Sequence, residues 1–256
     1  MTKGNQMEDN FTTFAKSYDE LFDNDMYQAW AQYVQDMTNP SPLLDLGGGA
    51  GRLAVLLEQA GYQVDLLDLS PNMLQLAQTH AEQAGVSPRL LEGDMRDFSD
   101  WPTQYPIITS FADSLNYLPN LEDLEDALRQ VFDHLTPSGI FLFDVITPYQ
   151  VNVGYDNYCY NNDDNPENIF MWTSFPGENE NSVDHDLKFF TYNEELDAFN
   201  LLREVHHEQS YEQAVYYELL QKIGFNQIEI SADFGQAVPN LKTTRWFFKA
   251  SKGDIK

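Results

Sequence analysis

Four carboxylates and three alternating glycines fall at spacings that can cradle a polar cofactor. In Leu43-Leu44-Asp45-Leu46-Gly47-Gly48-Gly49-Ala50-Gly51-Arg52, a short apolar run leads into an acid, a glycine-rich turn and an amphipathic segment. This is the pattern of a buried strand, a tight turn and the start of a helix. Gly47, Gly49 and Gly51 let the backbone take positive φ and approach a ligand closely. A helix amino terminus behind them offers unpaired N–H groups and a positive dipole end. Asp45 sets a carboxylate beside it. Gln63-Val64-Asp65-Leu66-Leu67-Asp68 reads as a second buried strand. It ends in an acid about twenty residues after the glycines, the offset at which one carboxylate can accept both hydroxyls of a ribose. A third run, Arg89 to Glu92, leads into Gly93-Asp94-Met95, and a fourth, Ile107 to Phe111, into Ala112-Asp113.

The glycine spacing restricts the cofactor. For the dinucleotide pattern G-x-G-x-x-G, counting from Gly47 puts its third glycine on Arg52, and counting from Gly48 puts its second on Ala50. The phosphate loop of NTPases requires Lys-Ser/Thr where this chain has Arg52-Leu53. What remains, Asp-x-Gly-x-Gly-x-Gly, resembles the first motif of class I S-adenosylmethionine-dependent methyltransferases, although an ordinary strand-turn-helix corner can carry the same glycines. The phrase Asp68-Leu69-Ser70-Pro71-Asn72-Met73-Leu74 resembles the second motif of that family, with Ser70 as N-cap and proline at the first helical position.

The resemblance implies S-adenosylmethionine as cofactor. Asp45 and the Gly47, Gly49 and Gly51 loop would hold its methionine end. Asp68 would hold the ribose, with Leu69 and Met73 from the second motif beside the cofactor. Asp94 would meet the adenine amino group and Met95 would pack near the ring. Phe111 and Asp113, at the fourth strand's end, would border the transferring methyl. That strand end resembles the fourth motif of a bacterial small-molecule subgroup, in which it faces both cofactor and acceptor.

These residues need a scaffold, and strand and helix alternate through five rounds as far as Ile140-Phe141-Leu142-Phe143-Asp144-Val145. The alternation predicts an α/β fold: a doubly wound, seven-stranded, mostly parallel sheet covered on both faces. Ligands of such sheets bind beyond the strands' carboxyl ends, where every residue named so far sits. A turn is expected at Thr136-Pro137-Ser138-Gly139. The helix Tyr211 to Ile223, closed by Gly224, and strands Gln227 to Ala232 and Thr243 to Ala250 complete the core. Arg245-Trp246-Phe247-Phe248-Lys249-Ala250 resembles the final antiparallel strand of the methyltransferase sheet.

Two regions stand apart from this core, which is expected to span 1–148 and 210–256. Residues 1–40 are expected to form a helical cover, with Phe11, Phe14, Ala15, Tyr18 and Phe22 on one helical face and a second helix from Met26 to Asp36. The subgroup writes a similar Phe-Ala-x-x-Tyr-Asp-x-Leu, which brings Tyr18 toward the methionine carboxylate; the same stripe also suits simple packing. Residues 149–209 interrupt the fold. After a polar, turn-rich stretch from Tyr155 to Pro166 come three strand-like runs, Ile169 to Phe175, Val183 to Tyr192 and Ala198 to Glu208. These predict a small antiparallel β insert resting over the crevice as a substrate lid.

The last run of that insert holds the best candidates for proton transfer. Alternation puts Arg203, Val205 and His207 on one face and Glu204, His206 and Glu208 on the other. Glu204, His206 and Tyr211 loosely fit an element of the subgroup. His206 could take a proton from an amine or hydroxyl near neutral pH, and it could equally be a surface histidine beside acids. The His and Glu spacing is not diagnostic of zinc, so no metal is expected.

Composition narrows the partner. Forty-one acidic against fourteen basic residues give a formal net charge of −27. That field repels phosphate backbones, so a nucleic-acid substrate is disfavoured. It favours amines or cations, although net charge bears first on solubility. No apolar run approaches the roughly twenty residues of a membrane span. The first residues lack a signal peptide's apolar core, and Cys159 is the only cysteine, which together suggest a cytoplasmic setting. The expected activity is methyl transfer from S-adenosylmethionine to a small-molecule nitrogen or oxygen. A nicotinamide-dependent oxidoreductase and a non-catalytic cofactor-binding partner are the rival readings.

Overall fold

The computed structural model describes residues 24–253. The stripe from Phe11 to Phe22, Tyr18 included, lies outside the described residues. The described chain opens with helix α1 (Asn24–Met37) and then alternates: β1 (Pro42–Leu46), α2 (Arg52–Gln59), β2 (Gln63–Asp68), α3 (Pro71–Ala84), β3 (Arg89–Glu92), β4 (Tyr105–Ser110), α4 (Leu121–His134) and β5 (Leu135–Ile146). A four-stranded excursion follows, β6 (Cys159–Asn165), β7 (Asn168–Pro176), β8 (Ser182–Asn193) and β9 (Ala198–Gln209). Helix α5 (Gln213–Ile223) and strands β10 (Phe225–Ser231) and β11 (Arg245–Lys252) close the chain.

The main sheet runs β10-β11-β5-β4-β1-β2-β3. β1 to β5 are parallel, and β11 lies antiparallel to both β5 and β10. Strand periodicity splits its side chains between two apolar layers. Leu44, Ile108, Phe141 and Phe143 pack under α4 and α5, whereas Leu43, Ile107 and Leu142 pack with α1 and α2. Helix starts follow their local chemistry. Ser70 caps α3 through the Met73 N–H at 3.3 Å with Pro71 at its first position, and Asn120 caps α4 through the Asp123 N–H at 2.9 Å.

The order of the strands creates the crevice. After β3 the chain returns to place β4 on the other side of β1, so the connections following β1 and β4 diverge. Such a switch point opens a cleft at the carboxyl ends.

Two local readings are revised. The turn expected at Thr136–Gly139 is an irregularity within β5: Ser138 takes φ 59°, and pairing with β4 jumps from Tyr105↔Leu135 to Ile107↔Ile140. The polar stretch expected to be turns contains β6, an edge strand of exposed side chains held to β7 by backbone pairing from Cys159↔Thr173 to Asn165↔Asn168. The second sheet therefore has four strands, in order β6-β7-β8-β9. It is fixed to the core through the buried Asn116, whose amide donates to the Gln209 carbonyl at 2.9 Å and accepts from the Ile146 N–H at 3.0 Å. Ser210 donates to the Ile146 carbonyl at 2.7 Å.

Candidate active site

The glycine turn is built to leave backbone bare. Gly47 and Gly49 take φ of 69° and 53°. A β-carbon on Gly47 would lie 2.9 Å from that of Ser114, whereas the space over Gly49 is open. The Gly47 N–H donates to the Leu67 carbonyl at 2.8 Å, which ties the turn to β2. From β2 itself, Asp68 accepts the Gly49 N–H and the Ser70 N–H, each at 2.8 Å. Burial raises the Asp68 carboxyl above its ordinary range, and those two N–H groups oppose the shift.

Asp45 sits deeper. It is 2% exposed, opposite Thr109 across the β1–β4 pair, and accepts the Thr109 hydroxyl at 2.8 Å. Its other oxygen has no hydrogen-bond partner among the described residues. Burial pushes the carboxyl up to about 7, with Asp68 adding to the rise and Thr109 opposing it. The raised folded value means that the native state keeps the proton between about pH 4 and 7, while the unfolded chain has lost it. Stability from this group is therefore full at low pH and is lost as pH rises toward 7, by at most about 4 kcal/mol. Without ligand, Asp45→Asn is expected to gain in melting temperature relative to wild type between pH 5 and pH 8. An unchanged difference at the two pH values would mean that Asp45 is already ionised.

These groups line a cavity of about 460 Å³. Asp45, Gly47, Gly49, Asp68, Leu69, Met73, Asp94, Met95 and Phe111 are all on its wall, together with His206. Asp94 is already engaged. Arg96 grips both its oxygens, Nε at 3.0 Å from Oδ1 and Nη2 at 2.6 Å from Oδ2, and this pairing holds the Asp94 carboxyl below its usual range. The bare glycine backbone, the buried unpartnered oxygen of Asp45 and the carboxylate at the end of β2 suit a ligand with an ammonium group, a diol and a flat ring. S-adenosylmethionine has all three.

Two of the expected residues lie elsewhere. Gly51, φ 71°, is off the cavity wall; a β-carbon there would come within 2.7 Å of the Ala77 β-carbon, so its role is close packing of α2 on α3. Asp113 faces a second cavity of about 270 Å³, between the main sheet and the inner face of the insert. Ala112 and Asp113, φ 55° and 57°, form a left-handed kink after β4, a strained conformation for residues with a β-carbon. The kink turns the Asp113 carboxylate toward the Arg245 guanidinium, 2.6 Å away.

Sequence spacing gives no sign of the group around that ion pair. Asp144 is fully buried on β5, 3.0 Å from Arg245, and accepts the Trp30 indole N–H at 2.7 Å and the Asp113 N–H at 3.0 Å. Burial works against the charge on Arg245, and Asp113 and Asp144 more than offset it, leaving its pKa above the ordinary arginine value. The two cavities meet at Trp30, Tyr117 and His206, which line both. His206 Nε2 lies 3.0 Å from Glu204 and Nδ1 lies 3.2 Å from the Tyr117 hydroxyl. No helix among the described residues is long and apolar enough to cross a membrane.

Known proteins are similar to this chain in sequence and fold. A family model described as a methyltransferase domain matches residues 43–139, from β1 into β5. YqeM of Bacillus subtilis strain 168, a methyltransferase candidate by name, is 34% identical over 242 residues, covering 93% of this chain and 96% of its own. The crystal structure of an S-adenosylmethionine-dependent methyltransferase from Clostridium acetobutylicum is similar with a TM-score of 0.80 and 25% identity, over 94% of this chain and 98% of that one. CalS10, an amino pentose methyltransferase from Micromonospora echinaspora solved with S-adenosylmethionine bound, shares the fold with a TM-score of 0.72 and 17% identity, over 94% and 96% of the two chains. The chain belongs to the class I S-adenosylmethionine-dependent methyltransferases, and S-adenosylmethionine is its cofactor.

Proposed function

We propose that this enzyme methylates a nitrogen or oxygen nucleophile of a small molecule held in the second cavity, by direct in-line transfer. One observation carries the reading: the two cavities adjoin through a shared wall of Trp30, Tyr117 and His206. A donor in one and an acceptor in the other would face each other there. When bound, S-adenosylmethionine supplies a methyl group already activated by its sulfonium. The protein's task is then chiefly alignment, which can supply much of a rate enhancement. In this reading Asp45 and the glycine turn hold the methionine end, Asp68 the ribose, and Asp94 with Met95 the adenine. Leu69, Met73 and Phe111 enclose the cofactor. Residues 149–209 act as the lid over the acceptor, and an amino sugar such as CalS10 takes by name is one class of acceptor that fits.

His206 is the proton acceptor in this reading. Glu204 orients the imidazole from one side, which leaves Nδ1 to accept the Tyr117 hydroxyl proton. A substrate N–H or O–H would pass its proton to the tyrosine oxygen while that hydroxyl's own proton moves to His206. His206→Ala is expected to lower turnover by about a hundredfold, with cofactor affinity within about threefold of wild type. Single-turnover rates and calorimetry check the two halves, and unchanged turnover would remove His206 from the chemistry. The reading as a whole is tested by isotope transfer from methyl-labelled S-adenosylmethionine into cell metabolites. Cofactor binding with no labelled product from any extract would overturn it.

A further inference from the structure

The second cavity contains a buried carboxylate that the proposed methyl transfer does not use. Glu208, near the end of β9, is 3% exposed and lies on the cavity wall. Its Oε1 is 3.7 Å from His185 Nε2 on β8, too long for a hydrogen bond, and its Oε2 has no hydrogen-bond partner among the described residues. His185 is committed at its other nitrogen, Nδ1, which lies 2.8 Å from the Ser174 hydroxyl. Leaving a carboxylate buried and unpaired costs several kcal/mol. Burial accordingly raises the Glu208 carboxyl above its ordinary range, with His185 opposing the shift.

Arg245 also opposes the rise at Glu208, but it does not serve that carboxylate alone. Arg245 is shared by Asp113 at 2.6 Å and Asp144 at 3.0 Å, so one guanidinium already faces two carboxylates before Glu208 is considered. The cavity is short of positive charge. Most of its remaining wall is aromatic. Tyr155, Tyr158 and Trp172 meet one another with ring centroids 5.1 to 6.0 Å apart and planes inclined by 42° to 77°. Steeply inclined ring faces around a surplus carboxylate attract a cation through both ring quadrupole and charge.

We propose that the second cavity is an ammonium site, in which a protonated primary or secondary amine sits against Tyr155, Tyr158 and Trp172 and donates an N–H to Glu208 Oε2. This deepens the acceptor reading and rests on it only in making that amine the group to be methylated, once the ammonium has given one proton to the Tyr117 and His206 relay and freed its lone pair for the methyl carbon. It selects nitrogen over oxygen: a hydroxyl compound of the same shape brings no charge to offset the third carboxylate. An apolar compound would leave Glu208 as it is.

The test compares charged and neutral isosteres on the whole protein without cofactor, by calorimetry and by quenching of the cavity tryptophans. Cyclohexylamine, benzylamine and pyrrolidine are titrated beside cyclohexanol, benzyl alcohol and tetrahydrofuran. At least one amine is expected to bind saturably, about tenfold or more tighter than its neutral counterpart, and Glu208→Gln should remove that preference. Tyr158→Leu, which leaves the carboxylate in place, should weaken the same amine about threefold or more. No saturable amine binding, equal binding of amine and neutral isostere, or full retention of the preference in Glu208→Gln would each overturn the ammonium site. Adding labelled S-adenosylmethionine separates the two readings. Amine binding without methylation keeps the site and defeats the acceptor reading; methylation of hydroxyl compounds by a protein indifferent to amines does the reverse.

Discussion

Replacing Asp68 with alanine is expected to weaken S-adenosylmethionine binding by about a hundredfold, read as an increase in Kd by isothermal calorimetry. The size follows from two losses at one carboxylate. In the ligand-free protein its oxygens accept the Gly49 and Ser70 N–H groups at 2.8 Å, so Asp68 holds the glycine turn to the start of α3. Each oxygen retains a second lone pair, and in the proposed complex these accept the ribose hydroxyls. Charge-assisted bonds of this kind contribute about 1.5 to 3 kcal/mol each, so losing the diol contacts alone reaches the stated range. Asp68→Asn keeps one acceptor oxygen and its expected loss is smaller, about tenfold. A Kd for Asp68→Ala within threefold of wild type would remove Asp68 from the ribose site.

The place of Asp68 on the cavity wall was legible because strand periodicity, the glycine spacing and the offset to the next acid are all short-range features of the chain. The doubly wound sheet follows from the same local regularity, repeated from β1 to β5. What was not legible depends on distance or on direction. β6 has no apolar alternation because its side chains are mostly exposed, and only pairing with β7 makes it a strand. Asp144 reads as one more residue in an apolar run; its partners Trp30 and Arg245 come from opposite ends of the chain. Alternation grouped Glu204, His206 and Glu208 on one face of β9 but could not say that this face looks inward. His185 stands directly opposite His206 in the register, which only strand pairing reveals. Gly51 carries the family's spacing and serves helix packing, because sequence does not distinguish a glycine that clears a ligand from one that clears an alanine.

Arg245→Met should destabilise the protein by about 3 to 5 kcal/mol, among the largest single-site losses available to this fold. Methionine can replace much of the apolar stem. It cannot replace the charge between Asp113 at 2.6 Å and Asp144 at 3.0 Å, and Asp144 has no exposed surface through which water could substitute. Burial already raises the Asp144 carboxyl, with Arg245 the principal opposing influence. Removing the cation must raise it further. A carboxyl whose folded pKa lies above its unfolded value binds more protons in the native state, so stability falls as pH climbs through the interval between the two values. The penalty of Arg245→Met is therefore expected to be smaller near pH 5 than at pH 8. Adding Asp144→Asn should recover part of it at the higher pH, since a neutral amide no longer needs the guanidinium. Urea denaturation of the two variants at both pH values measures this directly. A pH-independent penalty, or no recovery in the double variant, would show that Arg245 stabilises β11 by packing rather than by its charge beside Asp144. The same measurement bears on the acceptor cavity. If Asp144 is charged only while Arg245 is present, the surplus negative charge around Glu208 depends on a side chain contributed by the last strand of the core. The insert and the sheet would then share one electrostatic unit.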